Sequence, residues 1–178
     1  MLRPVRHRLP AGLALVVVVG LAALLSPALA DIVADPQPAQ REALAQAGRV
    51  QGAPDRTLVL SRVTVPPGTE LALHHHLGTQ VAHIASGVLR YTVRQGQVTV
   101  RKGEADRQPQ TVRKIAAGQT AGLHPGEWIV EQPSDVHEAA NRGPAPVVIY
   151  IATLLKSGAP PSTPVAPTAL SSAPEFSK

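Results

Sequence analysis

The middle of the chain alternates between short apolar runs and turn signals, beginning at Thr57. Runs such as TLVLSRVTV (57–65) and VLRYTV (88–93) are rich in Val, Leu and Thr, and turns such as PPG (66–68) and NRGP (141–144) separate them. At least eight such runs follow one another at even spacing, and no helical period appears between them. This pattern predicts an all-β sandwich or barrel.

The two flanks of this region have a different character. Within an N-terminal segment at 31–55, the stretch PAQREALAQAG (38–48) begins near a proline and ends at a glycine, which predicts a short helix. Residues 157–178 are rich in Pro, Ser, Ala and Thr and bury little apolar surface, so they predict a disordered tail. The β domain is therefore expected at 56–156.

Residues 1–30 have the features of a secretory signal peptide. Three arginines precede the apolar run LALVVVVGLAALL, and Ala28 and Ala30 form an A-x-A cleavage pattern before Asp31. Because the run is short for a membrane span, we expect cleavage, a secreted or periplasmic protein, and no stable membrane insertion afterwards. An uncleaved anchor is the alternative. The chain has no cysteine, which excludes a disulfide framework.

Charge and aromatic content argue against a nucleic-acid partner. The formal net charge is +5, but three arginines and no acidic residue lie in 1–30, so the remaining 148 residues carry only +2. The aromatic residues are Tyr91, Trp128, Tyr150 and Phe176. Four aromatic side chains over 148 residues make a platform for stacking bases improbable.

Three consecutive histidines, His74, His75 and His76, supply the first candidate chemistry. In a strand, successive side chains point to opposite faces, so His74 and His76 share one face and His75 takes the other. Two imidazoles on one face converge as metal ligands do. His137 follows a turn-like PSD in a later strand and is a credible third nitrogen ligand.

These residues resemble the two motifs of the cupin family over roughly residues 56–155. The first motif, G-x5-H-x-H-x3,4-E-x6-G, is matched with glutamine at the glutamate position, and the second, G-x5-P-x-G-x2-H-x3-N, is matched more loosely, with aspartate at Asp135 in the usual glycine position. The matching residues are Gly68, His74, His76, Gln80 and Gly87 for the first motif and Gly126, Pro133, His137 and Asn141 for the second. The resemblance implies a double-stranded β-helix barrel of the jelly-roll type.

The resemblance also implies one divalent metal ion, held by His74, His76, Gln80 and His137. Its identity is open among Fe, Ni, Zn, Cu and Mn. Glutamine in place of glutamate makes the set neutral, which favours Zn, Ni, Cu or Fe over Mn and strengthens the ion as a Lewis acid. The alternative is a metal-free cupin in which the histidines are polar residues inside the barrel.

The remaining chemical candidates are fewer. We expect His75 and His83 at a solvent-facing or interface surface and His124 in an exposed loop. A general acid or base would come from a short set of residues, of which Glu131 is the catalytic candidate because it lies in an otherwise apolar strand, although an edge or solvent position is its ordinary interpretation. The others in the set are Glu127, Asp135, Glu138, Tyr91 and Tyr150.

Together these features predict an exported single-domain cupin that binds a small molecule. The resemblance implies a metalloenzyme, either dioxygenase-like, as in quercetinase-like members, or a metal-assisted isomerase or lyase. A non-catalytic module that binds a small ligand or metal is the alternative. The strand APVVIYIATLL (145–155) is apolar enough to be buried on both faces, which makes a homodimer possible.

Overall fold

A computed structural model describes residues 37–104 and 106–166, which form two antiparallel β-sheets. No described residue is helical, and the described part contains no helix that could span a membrane. The predicted signal peptide lies outside the described residues. The strands are β1 Gln40–Val50, β2 Ala53–Val65, β3 Glu70–His75, β4 Gly78–Ser86, β5 Leu89–Gln95, β6 Gln97–Lys102, β7 Gln110–Ala116, β8 Thr120–Leu123, β9 Glu127–Glu131, β10 Val136–Ala140, β11 Val147–Lys156 and β12 Thr163–Pro164.

The strand order explains how distant histidines meet. One sheet has the order β1-β2-β11-β4-β9-β6-β7, and the other has the order β12-β3-β10-β5-β8. In the smaller sheet β10 lies between β3 and β5, which brings the second histidine motif beside the first. The all-β prediction is confirmed, and two antiparallel sheets of this kind are consistent with a jelly roll.

Alternating burial within the strands places the core between the sheets. Along β11, Val147, Ile149 and Ile151 are buried, whereas Tyr150 is exposed on the outer face. Each strand therefore contributes alternate side chains to one apolar interior. The interior also contains polar groups from β4, β9 and β10, which form the site described below.

The helix predicted at 38–48 is wrong. Residues Gln40–Val50 form β1, which pairs antiparallel with β2 from the Gln40–Thr64 pair to the Val50–Ala53 pair. Alanine, glutamine and arginine favour a helix locally, but the backbone N–H and C=O groups of this segment form their hydrogen bonds with the long adjacent strand β2 instead. The alanine-rich composition therefore does not reveal that this segment is an edge strand.

The tail predicted as disordered from residue 157 is ordered at least to residue 166. Thr163 and Pro164 form β12 against His75 and His74 of β3, and the amide of Val165 donates to the carbonyl of Leu73. Proline fits here because β12 is an edge strand whose outer side needs no hydrogen bond. The backbone bonds that order this segment come from β3, and composition does not reveal them. Residues 167–178 lie outside the described residues.

An ion pair between Arg113 of β7 and Glu127 of β9 stabilises the end of the larger sheet. The guanidinium donates to both carboxylate oxygens of Glu127, over 2.8 and 2.7 Å, and the amide of His124 donates to the same carboxylate. The hydrogen bonds from Arg113, helped by that amide, lower the pKa of Glu127 below 4.5 despite opposing desolvation.

We predict that Glu127→Gln lowers the free energy of unfolding by about 1–2 kcal/mol at pH 7, because charge-assisted hydrogen bonds are lost. The pKa of Glu127 is lower in the folded than in the unfolded protein, so the pair stabilises the fold above pH 4.5 and loses this effect as the pH falls below it. Urea unfolding should therefore show that the difference in the free energy of unfolding between variant and parent is smaller below pH 4 than at pH 7. A difference independent of pH would contradict this account.

Candidate metal centre

Three histidines, from β3, from the position just after it and from β10, converge on the interior between the sheets. His74 lies directly opposite His137 in the ladder between β3 and β10, and His76 follows the end of β3. One ring nitrogen from each of the three lies within 4.8 Å of the other two. Nitrogens that share an ion at ~2.1 Å are ~3–4 Å apart, so small side-chain movements suffice to bring them into a coordination sphere.

Backbone carbonyls orient two of these imidazoles as metal ligands. The Nδ1 of His74 donates to the carbonyl of Ala72 over 2.6 Å, and the Nδ1 of His76 donates to the carbonyl of Pro161 over 2.7 Å. Because a carbonyl only accepts, Nδ1 carries the proton and each Nε2 is unprotonated, with a lone pair, when the ring is neutral. This is the tautomer that metal-binding histidines adopt.

The carboxylate of Glu131 lies beside the histidines. Its Oε1 is 3.2 Å from the Nε2 of His137, and its Oε2 is 3.6 Å from the Nε2 of His76. Tyr91 donates to Oε1 over 2.7 Å. The edge or solvent position expected for Glu131 is wrong, since it is only 3% exposed; β9 lies inside the larger sheet and turns this side chain inward.

Gln80 reaches the same cluster from β4. It lies directly opposite Glu131 in the ladder between β4 and β9, and its Nε2 donates to the Oε2 of Glu131 and to the Nε2 of His76, 2.9 Å away. The Oε1 of Gln80 is buried with no hydrogen-bond partner among the described residues, as is the Nδ1 of His137. An amide donor therefore stands where the cupin motif has a carboxylate, and the carboxylate stands on the adjacent strand.

Burial keeps the imidazoles of His76 and His137 neutral. Desolvation lowers the pKa of His137 to about 4 and lowers that of His76 as well. Desolvation raises the pKa of Glu131, but attraction to any positive charge on His137 or His76, together with the hydrogen bonds from Tyr91 and Gln80, brings it below its ordinary value, so the carboxylate stays ionised. Burial and the adjacent Glu131 raise the pKa of Tyr91, so its hydroxyl keeps its proton. The site thus combines neutral nitrogen donors with one negative charge.

A cavity of about 370 Å³ opens onto this cluster. The three histidines, Gln80 and Glu131 line one part of it. Most of the remaining wall is aliphatic, formed by residues such as Leu71, Ile84, Leu89, Ile129 and Ile151. The volume is at the lower end of the ~300–1,000 Å³ range of small-molecule sites.

The other sequence candidates do not line this cavity, apart from Tyr91. His83 and Tyr150 are exposed on the outer face of the larger sheet, and His124 is exposed after β8. Glu138 pairs with Arg94. The remaining candidates have structural contacts: Glu127 with Arg113, Asp135 with the amide of Gln132, and the backbone of His75 with Thr163.

Two contributors to the site were missed at the sequence level. Arg41 of β1 lines the cavity, but its segment was interpreted as a helix. The carbonyl of Pro161, which orients His76, belongs to the segment that was interpreted as disordered. No residue pattern near either position signals the role, because both depend on pairing with distant strands.

Comparison with protein-family models and with curated proteins finds no match. Solved structures with a similar fold include a cupin 2 domain-containing protein from Halorhodospira halophila, 17% identical, with a TM-score of 0.48 over 75% of this chain and 74% of that one. The polyketide cyclase RemF from Streptomyces resistomycificus is 16% identical, with a TM-score of 0.48 over 74% of this chain and 73% of that one. A predicted oxalate decarboxylase from Thermotoga maritima is 14% identical, with a TM-score of 0.45 over 66% and 80%.

Cupin-domain proteins are thus among the solved structures with a similar fold. At these identities and scores the likeness concerns the fold alone. The candidate site therefore depends on its own geometry.

We predict that His74→Ala lowers the affinity for Zn²⁺ by more than about 100-fold, because loss of a direct ligand lowers metal affinity more than loss of a residue that only orients a ligand. His75→Ala is the matched control, because this neighbouring imidazole is not part of the cluster. Calorimetric titration of both variants with Zn²⁺ measures the difference. Equal losses would refute the assignment of the two histidines to opposite faces.

Proposed function

We propose that this chain is an exported cupin-type enzyme that uses one divalent metal ion to act on a small molecule. The observation that carries the proposal is the convergence of His74, His76 and His137 at a cavity, with two of the rings oriented by carbonyls. The ionised Glu131 has no lysine or arginine ion-pair partner among the described residues, and a buried charge without a counter-charge is costly. A divalent cation at the histidines supplies that counter-charge.

In this proposal the ligands are the three histidines and Glu131. The distances from its oxygens to the ring nitrogens of His137 and His76 match the ~3 Å between adjacent ligands of one ion. The Nε2 of Gln80 holds the carboxylate by donating a hydrogen bond to it. The Oε1 of Gln80 remains as a second, weaker oxygen ligand for the ion. The ion, when bound, acts as a Lewis acid toward a substrate oxygen.

Tyr91 and Glu131 form a hydrogen-bonded pair at the cavity that can hold or move a proton. The hydroxyl of Tyr91 donates to Oε1 of Glu131, and both side chains are at most 3% exposed. Such a pair next to a polarised substrate favours a proton-transfer reaction, as in a metal-assisted isomerase or lyase. This is the reaction class that we favour.

A dioxygenase-like reaction is the second candidate. The aliphatic wall of the cavity favours it, because exclusion of water protects reactive species in oxygen chemistry. A non-catalytic module that binds a small ligand or metal is the alternative that would remain if the experiments below detect no reaction.

We also propose that two copies associate through the outer face of the larger sheet. Leu58, Leu60, Val81 and Tyr150 are exposed there on adjacent strands. A contiguous apolar area of this kind is typical of an interface.

The reaction class can be tested with the iron-loaded protein. We expect no oxygen uptake with flavonols or β-diketones, and we expect exchange of the acidic carbon-bound protons of β-diketones with deuterated water, followed by NMR. Tyr91→Phe should slow this exchange about tenfold or more, since it removes the hydroxyl of the proton-handling pair. Oxygen uptake without proton exchange would instead support the dioxygenase. If the protein shows neither oxygen uptake nor proton exchange, the non-catalytic binding module is the remaining interpretation.

The role of Glu131 can be tested by exchanging the side chains of Glu131 and Gln80. Glu131→Gln should weaken Mn²⁺ binding at least about tenfold, because Mn²⁺ prefers a charged oxygen donor. Gln80→Glu should lower the melting temperature of the metal-free protein by placing two carboxylates together, while increasing its stabilisation by Mn²⁺. The double variant, with carboxylate and amide exchanged, should bind Mn²⁺ within about threefold of the parent if one carboxylate suffices.

Glu138→Gln is the matched control, because Glu138 is next to His137 in sequence but pairs with Arg94. A double variant that binds Mn²⁺ no better than Glu131→Gln would show that Glu131 does not supply the carboxylate in this way.

A further inference from the structure

A guanidinium lies at the wall of the same cavity, and the metal site does not use it. Arg41 is the second residue of β1 and lies opposite Val63 of β2. Val63 is buried and lines the cavity, and cross-strand partners share a face of the sheet. The side chain of Arg41 is therefore directed toward the cavity that contains His76 and Glu131.

Arg41 forms no hydrogen bond or ion pair with another described residue. The acidic wall residue Glu70 has a different arginine as its partner: Arg142 pairs with it, so its charge is balanced. Glu131 lies more than ion-pair distance from Arg41, although its charge attracts the guanidinium. Within residues 37–104 and 106–166, then, no side chain or backbone group occupies the five donors of Arg41.

The environment of Arg41 is suited to a functional guanidinium. The residue as a whole is exposed, but desolvation around its guanidinium lowers its pKa below the ordinary value, opposed by the attraction of Glu131. Desolvation also strengthens any charge-assisted hydrogen bond that it forms. Arg41 lines a second cavity too, of about 360 Å³, together with Ser61, Thr153 and Pro161, so it stands where the two spaces adjoin.

The charge balance of the cavity favours an anion. With a divalent ion at the histidines, the ion and Arg41 outweigh the single carboxylate of Glu131, because the other charges on the wall are paired or neutral. The rest of the wall is aliphatic. A ligand that fits both features has an apolar body and a carboxylate.

We propose that Arg41 binds the carboxylate of a small organic acid whose apolar body occupies the cavity. The fork of a guanidinium matches the two oxygens of a carboxylate. The inference extends the proposed function by naming its substrate class: a monocarboxylate with a short aliphatic body, which directs its other end toward the metal site.

The test compares hexanoate with hexanamide, which has the same body and no charge. Binding to the full chain is measured by calorimetry in the metal-free form, in which no metal competes for the carboxylate. Hexanoate should bind at least about tenfold more tightly than hexanamide, as expected for one charge-assisted contact. Arg41→Ala should abolish this preference, and Arg41→Lys should retain part of it because the charge remains.

Arg49→Ala is the matched control, since Arg49 belongs to the same strand but lines neither cavity. It should leave the preference unchanged, and thermal unfolding should show that all three variants fold. No measurable hexanoate binding, equal binding of the two probes, or an unchanged preference in Arg41→Ala would overturn the proposal.

Zn²⁺ titration of the same variants separates this inference from the proposed function. Arg41→Ala should bind Zn²⁺ like the parent. If the parent binds no Zn²⁺ but still prefers hexanoate through Arg41, the metal proposal fails and the anion site stands. If Zn²⁺ binds and the preference is absent, the anion site fails alone.

Discussion

A single buried carboxylate constrains the interior of this protein. Glu131 is almost fully buried, ionised and without a lysine or arginine ion-pair partner among the described residues. Taking a carboxylate out of water costs several kcal/mol unless hydrogen bonds and a counter-charge compensate. Tyr91 and Gln80 supply two of the hydrogen bonds. The neutral imidazoles beside it supply lone pairs but no charge, so the arrangement is complete when a cation joins it.

The strand pairing makes this arrangement possible. Two cross-strand pairs define the site: His74 with His137 in one sheet, and Gln80 with Glu131 in the other. Side chains directly opposite each other in antiparallel strands have Cβ atoms ~5 Å apart, which is close enough for their ends to meet at one ion. The glutamine in the motif is thus adjacent to a carboxylate, and a glutamate there would repel it. The glutamine is therefore compatible with our proposal that the site keeps one carboxylate, supplied by Glu131.

Segments outside the two motifs complete the cavity. β1 contributes Arg41 to its wall, and the segment around β12 contributes the carbonyl that orients His76. Both segments are edge strands with few buried side chains, so little in their composition distinguishes them from solvent-exposed chain. Their contribution to the site is through backbone pairing and through single polar groups.

The sequence alone predicted the all-β class and the grouping of His74, His76 and His137, which the structure brings into one cluster, because strand alternation and motif spacing can be read directly from the chain. It could not determine the position of Glu131, since an acidic residue in an apolar strand is equally compatible with an edge. It also misassigned Gln40–Val50 and residues 157–166, whose conformation depends on partners β2 and β3. Only the tertiary structure decided these points, because cross-strand contacts join residues that are far apart in the chain, and local propensity does not encode such contacts.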